Sequence, residues 1–413
     1  MNINGKKINV GGIFIVLIII SLALENFKLF TVMDAAFKPI QIVAFFAVIY
    51  FALFRGISAK KIVGAILFLV IPLLPLYRID DQREFIKSYA IYAIIVLFVV
   101  FALPHLKEEF KKSSQSYIGV FNVVIMVVSV LGIAQFITMN LFGFDFLDGI
   151  FGSFLAVAQA THAQGSNFYR AISLFSEPSY FGWVLGVALA INLVLLKKEK
   201  TPKRIVTIVV ILIAILTTMS SSAFWITAMI FFVYLVSIKK INVNTVFIAI
   251  AGVLAIILAI ALFDFSFLVN SMSRLFKEIG VETSSGYFRL IYPIDYVKVV
   301  LTEFPLFGRG LGQTGDADII GKIVGNHGVH NSLFGVVGIF GFTSVFYIVW
   351  LVKQFFGSKF DKFTRADRIL LFASTIGMYA STGAAVSFDT FIFTTIIMLI
   401  LSACEPKKEE EKE

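Results

Sequence analysis

The chain has 413 residues, of which 59% are hydrophobic and only 15% are charged. Soluble domains carry about 45–50% apolar residues, so this composition, with a mean hydropathy of +0.92, excludes an ordinary soluble protein. The formal net charge of +9 is better explained by basic residues on the cytoplasmic side of a membrane than by a nucleic-acid partner. The single cysteine, Cys404, excludes an internal disulfide and a cysteine metal cluster.

Apolar segments of about 20 residues, the length that crosses a bilayer, recur along the chain and predict an all-α polytopic membrane protein with about twelve transmembrane helices. They form a single membrane domain over residues 1–403. Lys6 and Lys7 precede the first segment without a following cleavage site, which predicts a retained span rather than a signal peptide. Only residues 220–222 separate the seventh and eighth segments, which form either a tight hairpin or one broken element. The candidate spans are 10–24, 36–54, 61–77, 86–104, 117–139, 179–196, 204–219, 222–238, 243–263, 332–352, 367–384 and 388–403.

The charges of the connections between these spans set the orientation. If the N-terminus is cytoplasmic, every inner connection is basic, as the positive-inside rule requires. Both termini are then cytoplasmic, and residues 404–413 are predicted to be a disordered, charged cytoplasmic tail. The basic inner segments are 6–7, 55–61, 107–112, 197–204, 239–240, 353–368 and 407–412.

Two outer connections are long, residues 140–178 and residues 264–331, the second of which lies between the ninth and tenth spans. Long loops in a compact protein usually carry function. We therefore expect the active surface on the outer face of the cytoplasmic membrane. The spans themselves lack the relay of Asp, Glu and His side chains that a proton-coupled carrier commonly has.

The first polar group at the outer boundary is Arg170 with Glu177, which stands directly before Pro178 and an apolar run. Proline is favoured in the first turn of a helix, and a carboxylate is stabilised by the positive end of the helix dipole. Residues 177–179 therefore predict a helix N-terminus at the membrane surface. Arg170 could bind a phosphate while Glu177 positions a hydroxyl, or the two could form a helix cap and a structural ion pair.

The second polar group lies in the long outer loop. Residues 287–301 have the pattern of a helix that breaks at Pro305, with Arg289, Tyr292 or Pro293, Tyr296 and Val300 on one face. This amphipathic element could lie on the membrane surface. Arg289 is a candidate phosphate ligand, because a planar guanidinium suits phosphate oxygens, or it is an arginine that extends towards the lipid headgroups.

A glycine-rich turn, residues 308–312, follows this helix and contains Arg309. Successive backbone N–H groups in such a turn can bind an anion. A plain turn also explains the glycines, and a glycine-rich pattern this short favours the plain turn.

Histidines precede the next span, in the sequence NHGVHNS over residues 326–332. His330 is a candidate base because imidazole accepts a proton near neutral pH, and the alternative is a polar residue that caps a helix. His327 and His330 could also hold a metal with Asp316 and Asp318. No Glu or Cys stands at a ligand spacing, so we expect no metal site.

The order of these motifs resembles the O-antigen polymerase and O-antigen ligase superfamily, which are bacterial membrane enzymes of surface-polysaccharide assembly. The matching motifs are YRAISLFSEPSYFGW at residues 169–183, YFR at 287–289, GRGLG at 308–312 and HNS at 330–332. The FSEPS form is more similar to the polymerases than to the ligases.

The resemblance implies transfer of a glycan from undecaprenyl pyrophosphate to an acceptor, at the outer face and without a cofactor or metal. It implies that Arg170 and Arg289 bind the pyrophosphate and that His330 is the base, with Glu177 as the other candidate. Fixed cations beside a departing pyrophosphate stabilise the transition state more than the ground state. The expected partners are the lipid-linked oligosaccharide, the bilayer, and a chain-length regulator and flippase of the same pathway.

Four further side chains complete the predicted site as substrate-binding groups. They are Tyr169, Tyr292, Arg309 and Asn331. Tyr169, Tyr180 and Trp183, near the outer boundary, could stack on sugars, although the aromatic belt of a membrane protein explains them as well.

Three other functions remain open from the sequence. A ligase would move finished glycan to a lipid or protein acceptor. A lipid-linked oligosaccharide flippase also has about twelve spans, but it is expected to place polar groups at mid-membrane depth. A passive scaffold would tolerate loss of both Arg170 and Arg289.

Overall fold

The computed structural model describes most of the chain. It covers residues 2–3, 6–7, 9–32, 35–56, 58–79, 81–155, 168–236, 287, 289, 291–313, 331–356, 364–381 and 388–402. The candidate span 243–263 and the predicted tail 404–413 lie outside these residues, and so do Asp316, Asp318, His327 and His330.

The described residues are almost entirely helical, as the composition predicts. The helices are α1 Val10–Ala23, α2 Pro39–Phe54, α3 Ala59–Val70, α4 Gln82–Leu97, α5 Leu103–Lys112, α6 Ser114–Phe142, α7 Phe146–Phe151, α8 Pro178–Lys198, α9 Pro202–Thr218, α10 Ser221–Val236, α11 Tyr292–Glu303, α12 Ser332–Phe340, α13 Ser344–Phe356, α14 Arg365–Ser381 and α15 Phe388–Ser402. A π-helical turn, Phe98–Ala102, joins α4 to α5. The strands form two short antiparallel pairs, β1 Asn2–Ile3 with β2 Lys6–Lys7 and β3 Phe30–Val32 with β4 Ala35–Phe37.

Several of these helices are long and apolar enough to cross a membrane. Four continuous helical runs qualify by length and composition within the described residues. They are Gln82–Lys112, which comprises α4, the π-helical turn and α5; Ser114–Phe142, which is α6; Pro178–Lys198, which is α8; and Ser332–Phe356, which runs from α12 to the end of α13. Val10–Ala23, Pro39–Phe54 and Ser221–Val236 are shorter apolar helices. The chain is therefore a helical integral membrane protein, and the number of twelve spans stays a prediction.

Helix α8 is the central element of the bundle. Its most apolar 18-residue window is 94% buried inside the protein, compared with 39% for the corresponding window of α6. Helices α9, α10 and α14 pack around it. Gly182 and Gly186 let α10 approach closely, because a Cβ at either position would collide with Ala223 or Ile226. Small residues serve this purpose in membrane bundles generally.

The break between α9 and α10 is a two-residue turn, so the seventh and eighth candidate spans are separate helices that form a tight hairpin. Met219 takes a left-handed conformation with φ of 46°. The hydroxyls of Ser220 and Ser222 lie 2.9 Å apart. Both helices pack on α8.

Contacts between loops respect the two predicted sides. Segments predicted on the inner side contact one another, as do segments predicted on the outer side. The inner contacts join Asn9 with Glu109, Lys107 with Gln354 and Lys197 with Asp367, and the outer contacts join Glu25 with Ser176, Asp81 with Gln313 and Arg170 with Thr218. This arrangement supports the alternation of spans and leaves the identity of each side a prediction.

Candidate active site

The loop that carries Arg170 is fixed by polar side chains of α6. Asn140 accepts a hydrogen bond from the Tyr169 backbone N–H at 2.7 Å and donates to its carbonyl at 3.1 Å. The buried Gln135 side chain accepts from the backbone N–H groups of Ile172 at 2.9 Å and Ser173 at 2.8 Å. Backbone polar groups buried in a membrane protein need such partners. Residues 169–173 are therefore fixed against α6.

Arg170 lies against the C-terminal end of α9. Its Nε donates to the Thr218 carbonyl at 3.3 Å, and the neighbouring Ala171 N–H donates to the Thr217 carbonyl at 3.0 Å. The last carbonyls of a helix carry partial negative charge and favour a cation. The Arg170 side chain is half-buried, and this contact fixes the direction of its guanidinium group.

Glu177 is the N-cap residue of α8, and the predicted helix start at Pro178 is confirmed. Its side chain is exposed and accepts a hydrogen bond from the Ser179 hydroxyl at 2.9 Å. Among the residues that the structure describes, Glu177 forms no ion pair. The alternative of a structural ion pair with Arg170 is therefore wrong, while the helix-start part of that alternative holds.

A buried ion pair that the sequence does not predict lies beside this helix start. Glu25, 2% exposed, pairs with Lys38 at 2.6 Å between the carboxylate oxygen and Nζ. The same carboxylate accepts from the Ser176 backbone N–H at 3.0 Å and from its hydroxyl. Glu25 and Lys38 stand at the ends of predicted spans, where charges are common, so nothing in the sequence marks them.

Helix α11 confirms the face predicted for the second polar group. Tyr292, Tyr296 and Val300 are buried on one side, where α11 packs on α12. The Tyr296 ring lies so close to Gly338 of α12 that a Cβ at position 338 would collide with it. Burial raises the pKa of Tyr296 above its ordinary value against the opposing charge of Arg309, so the phenol stays neutral.

Asn331 connects the start of α12 to Arg289, which stands three positions before the start of α11. Its side-chain oxygen accepts from the backbone N–H groups of Leu333 at 3.2 Å and Phe334 at 3.5 Å, which makes it an N-cap. Its Nδ2 donates to the Arg289 carbonyl at 3.3 Å. The structure thus brings Arg289 and Asn331 together. The predicted substrate contact of Asn331 stays a prediction.

The glycine-rich turn is a plain turn, as the pattern favours. Gly308 and Gly310 have φ of 63° and 95°, a conformation that glycine adopts at little cost. Their N–H groups, and that of Arg309, donate to the carbonyls of Phe304, Ile339 and Gly338. The N–H groups of residues 308–310 are therefore committed to the fold, which favours the plain turn.

Arg309 itself is only 9% exposed, and its Nη1 donates to the Gln313 carbonyl at 3.1 Å. Gln313 in turn donates from Nε2 to the Asp81 carbonyl at 3.0 Å. These contacts attach the turn to the start of α4. A role of Arg309 in substrate binding stays a prediction.

Three further predictions concern metal, base and aromatic groups. No group of three or more His, Cys, Asp or Glu side chains lies together within the described part of the chain, and His330 is outside it. Trp183 is 1% exposed and lies in the protein core. The expectations that Trp183 stacks on sugars or belongs to an aromatic belt are both wrong, since a buried side chain reaches neither sugar nor headgroups.

The predicted residues form two groups that helix α14 connects. Arg170 and Glu177 precede α8, Arg289 precedes α11 and bonds to Asn331 at the start of α12, and α14 packs against both α8 and α12. The molecule is thus a helical membrane protein with arginines and an exposed acid in the segments that precede its helices.

Comparison with known protein families identifies the family of this membrane protein. The chain belongs to the WcaD colanic acid polymerase family, whose model matches residues 13–403. It is therefore a polysaccharide polymerase, and hence an enzyme of the glycosyltransferase type. No curated protein and no solved structure matches the chain.

Proposed function

We propose that this polymerase transfers a growing glycan from undecaprenyl pyrophosphate to an acceptor repeat unit at the outer face of the cytoplasmic membrane. The family supports the reaction class. The observation that carries the proposal is the fixed guanidinium of Arg170, whose Nε is bonded to the end of α9 beside the start of the central helix. Both termini lie in the cytoplasm in this proposal.

Arg170 suits a pyrophosphate for a physical reason. A guanidinium offers a planar array of donors that matches phosphate oxygens. Its Nε contact with Thr218 and the pinned backbone at Tyr169 restrict its motion before substrate arrives. A cation held in place stabilises the charge that develops on a leaving pyrophosphate without reorganising during the reaction.

Arg289 supplies the second cation in this proposal. Its backbone carbonyl is bonded to Asn331, which in turn caps α12. The backbone at Arg289, shortly before α11, is therefore fixed to the start of α12. Two arginines on separate elements can grip a pyrophosphate from two directions, which supports a metal-independent mechanism.

Glu177 is the acid that the described residues offer for deprotonating the acceptor hydroxyl. It is exposed at the N-terminus of α8. The Ser179 hydroxyl holds one carboxylate oxygen at 2.9 Å, and the other oxygen can face the acceptor. His330 is the other candidate base.

The substrate lipid and the pathway partners follow from this reaction. The polyprenyl chain would lie in the bilayer against the apolar helix faces. A flippase would deliver the repeat units, and a chain-length regulator would act on the product.

The first test is a gel of the surface polysaccharide from the native host, with this gene deleted and then restored as the parent chain or as an Arg170→Ala, Arg289→Ala variant. Deletion and the variant should both collapse the long ladder to single repeat units. Full ladders from the double variant would refute the catalytic roles. Long chains retained on the carrier would indicate a ligase, and repeat units trapped on the cytoplasmic side would indicate a flippase.

A further inference from the structure

The carboxylate of Glu25 is buried at the predicted outer end of the bundle. It receives three donors: Lys38 Nζ at 2.6 Å, the Ser176 N–H at 3.0 Å, and the Ser176 hydroxyl at 3.2 Å. The neighbouring Asn26 side chain donates to the Phe175 carbonyl at 3.5 Å. The segment after α1 therefore grips the two residues that come directly before Glu177.

A buried charge of this kind is costly unless it is fully paired. An apolar side chain in its place is often as stable as a buried ion pair, so stability alone does not explain why an ion pair stands here. The carboxylate instead orients the backbone of Ser176. It binds both polar groups of Ser176 at once and so fixes the backbone one residue before the exposed acid.

We propose that Glu25, held in place by Lys38, is a positioning residue that sets the orientation of Glu177. The inference rests on the proposed role of Glu177 towards the acceptor hydroxyl. Glu25 is buried and does not touch the substrate. It acts through Ser176, whose peptide it holds, on the carboxylate that follows.

The inner end of α8 supplies a matched control. There Asp367, also buried, pairs with Lys197 at 3.0 Å and accepts from the N–H of Thr364 at 3.1 Å and from its hydroxyl at 2.9 Å. The chemistry is the same as at Glu25, but no proposed catalytic group lies beside it. Asp367→Asn therefore measures what loss of such a pair does to the fold alone.

The test is a double-mutant cycle on the purified protein in lipid, with a polyprenyl-pyrophosphate-linked repeat unit as substrate. Glu25→Gln should lower kcat about tenfold or more with KM nearly unchanged, because small displacements of a catalytic group cost rate steeply. In the Glu177→Gln background, Glu25→Gln should cause no further loss, since residues that act as one unit are non-additive. Asp367→Asn should leave kcat per folded molecule within about twofold of the parent.

The inference is overturned if the losses from Glu25→Gln and Glu177→Gln multiply, or if Glu25→Gln leaves kcat unchanged. If Glu177→Gln is fully active while Arg170→Ala is inactive, the role of Glu177 fails and the inference fails with it, whereas the polymerase proposal stands. If Glu25→Gln lowers the amount of protein, the Glu25→Gln, Lys38→Gln variant removes both charges and should show the same kcat loss and the same non-additivity.

Discussion

The C-terminal end of helix α8 lies on the predicted inner side and its N-terminal end on the predicted outer side, and an arginine at each of these ends donates to a carbonyl at the end of a helix. At the inner end, Arg204 donates to the Leu195 carbonyl at 2.6 Å and pairs with Glu199 at 2.7 Å. At the outer end, Arg170 donates to the Thr218 carbonyl, but the nearby acid Glu177 bonds to a serine hydroxyl. Both arginines cap the end of a helix.

The difference lies in what each arrangement leaves for chemistry. At the inner end the cation is matched by a neighbouring acid, so the contacts close on themselves. At the outer end the acid Glu177 stays exposed at a helix N-terminus, while a separate buried acid, Glu25, takes up Lys38. Each end thus has an arginine that caps a helix and an exposed acid. At the inner end the acid, Glu199, pairs with the arginine, whereas at the outer end Glu177 bonds to a serine hydroxyl instead.

The largest effect is expected from removing the outer arginine. Arg170→Ala should lower kcat about a hundredfold or more, because a preorganised charge on the leaving group contributes about that factor. The kcat of Arg170→Lys should lie between those of the parent and Arg170→Ala, since an ammonium keeps the charge without the planar array of donors. Arg204→Ala at the inner end is the control and should keep its turnover. Equal losses for Arg170→Ala and Arg204→Ala would remove the distinction between the two ends.

The second arginine should follow closely. Arg289→Ala should lower kcat about tenfold to a hundredfold in the same assay, by loss of the second phosphate contact. Lys298→Ala on α11 is the matched control, because Lys298 forms only an exposed pair with Asp295 at 3.2 Å, and such pairs contribute about 0–1 kcal/mol. A loss as large for Lys298→Ala would mean that general positive charge matters rather than Arg289.

A packing change at the outer half of α8 should have a moderate effect. The Cβ of Gly182→Ala would collide with Ala223 of α10, and overpacking of this kind costs about 1–3 kcal/mol. We expect a lower midpoint of thermal unfolding in detergent. Gly119→Ala on α6 has open space around the new methyl group and should leave the midpoint unchanged. An unchanged midpoint for Gly182→Ala would show that α10 is free to move away from α8.

The smallest effect is expected at the cap of α12. Asn331→Ala should cost about 1 kcal/mol of stability through loss of the N-cap. Asn331→Asp keeps the acceptor for Leu333 but loses the donor to the Arg289 carbonyl. We expect Asn331→Asp to unfold at the parent temperature and yet to turn over several-fold more slowly. Parent-like turnover of Asn331→Asp would show that this hydrogen bond does not set the position of Arg289.

Several features could be predicted because their causes are local. The start of α8 follows from Pro178 and the acid before it, and the buried face of α11 follows from the spacing of Tyr292, Tyr296 and Val300. The hairpin at Met219 was open between two forms, because the short polar break fits both. The plain turn around Arg309 was favoured, but its bonds to Gly338 depend on a helix that lies later in the chain.

The amino-acid sequence is enough to predict the membrane class, the helical content and the start of α8. The folded arrangement of the helices shows that α8 is central and that Trp183 lies in its packed interior. An apolar helix offers lipid and protein nearly the same surface, so hydropathy does not tell one neighbour from the other. The structure also decided the pairing of Glu25 with Ser176, 151 positions apart, because only folding brings an acid at one helix end to the loop before another helix.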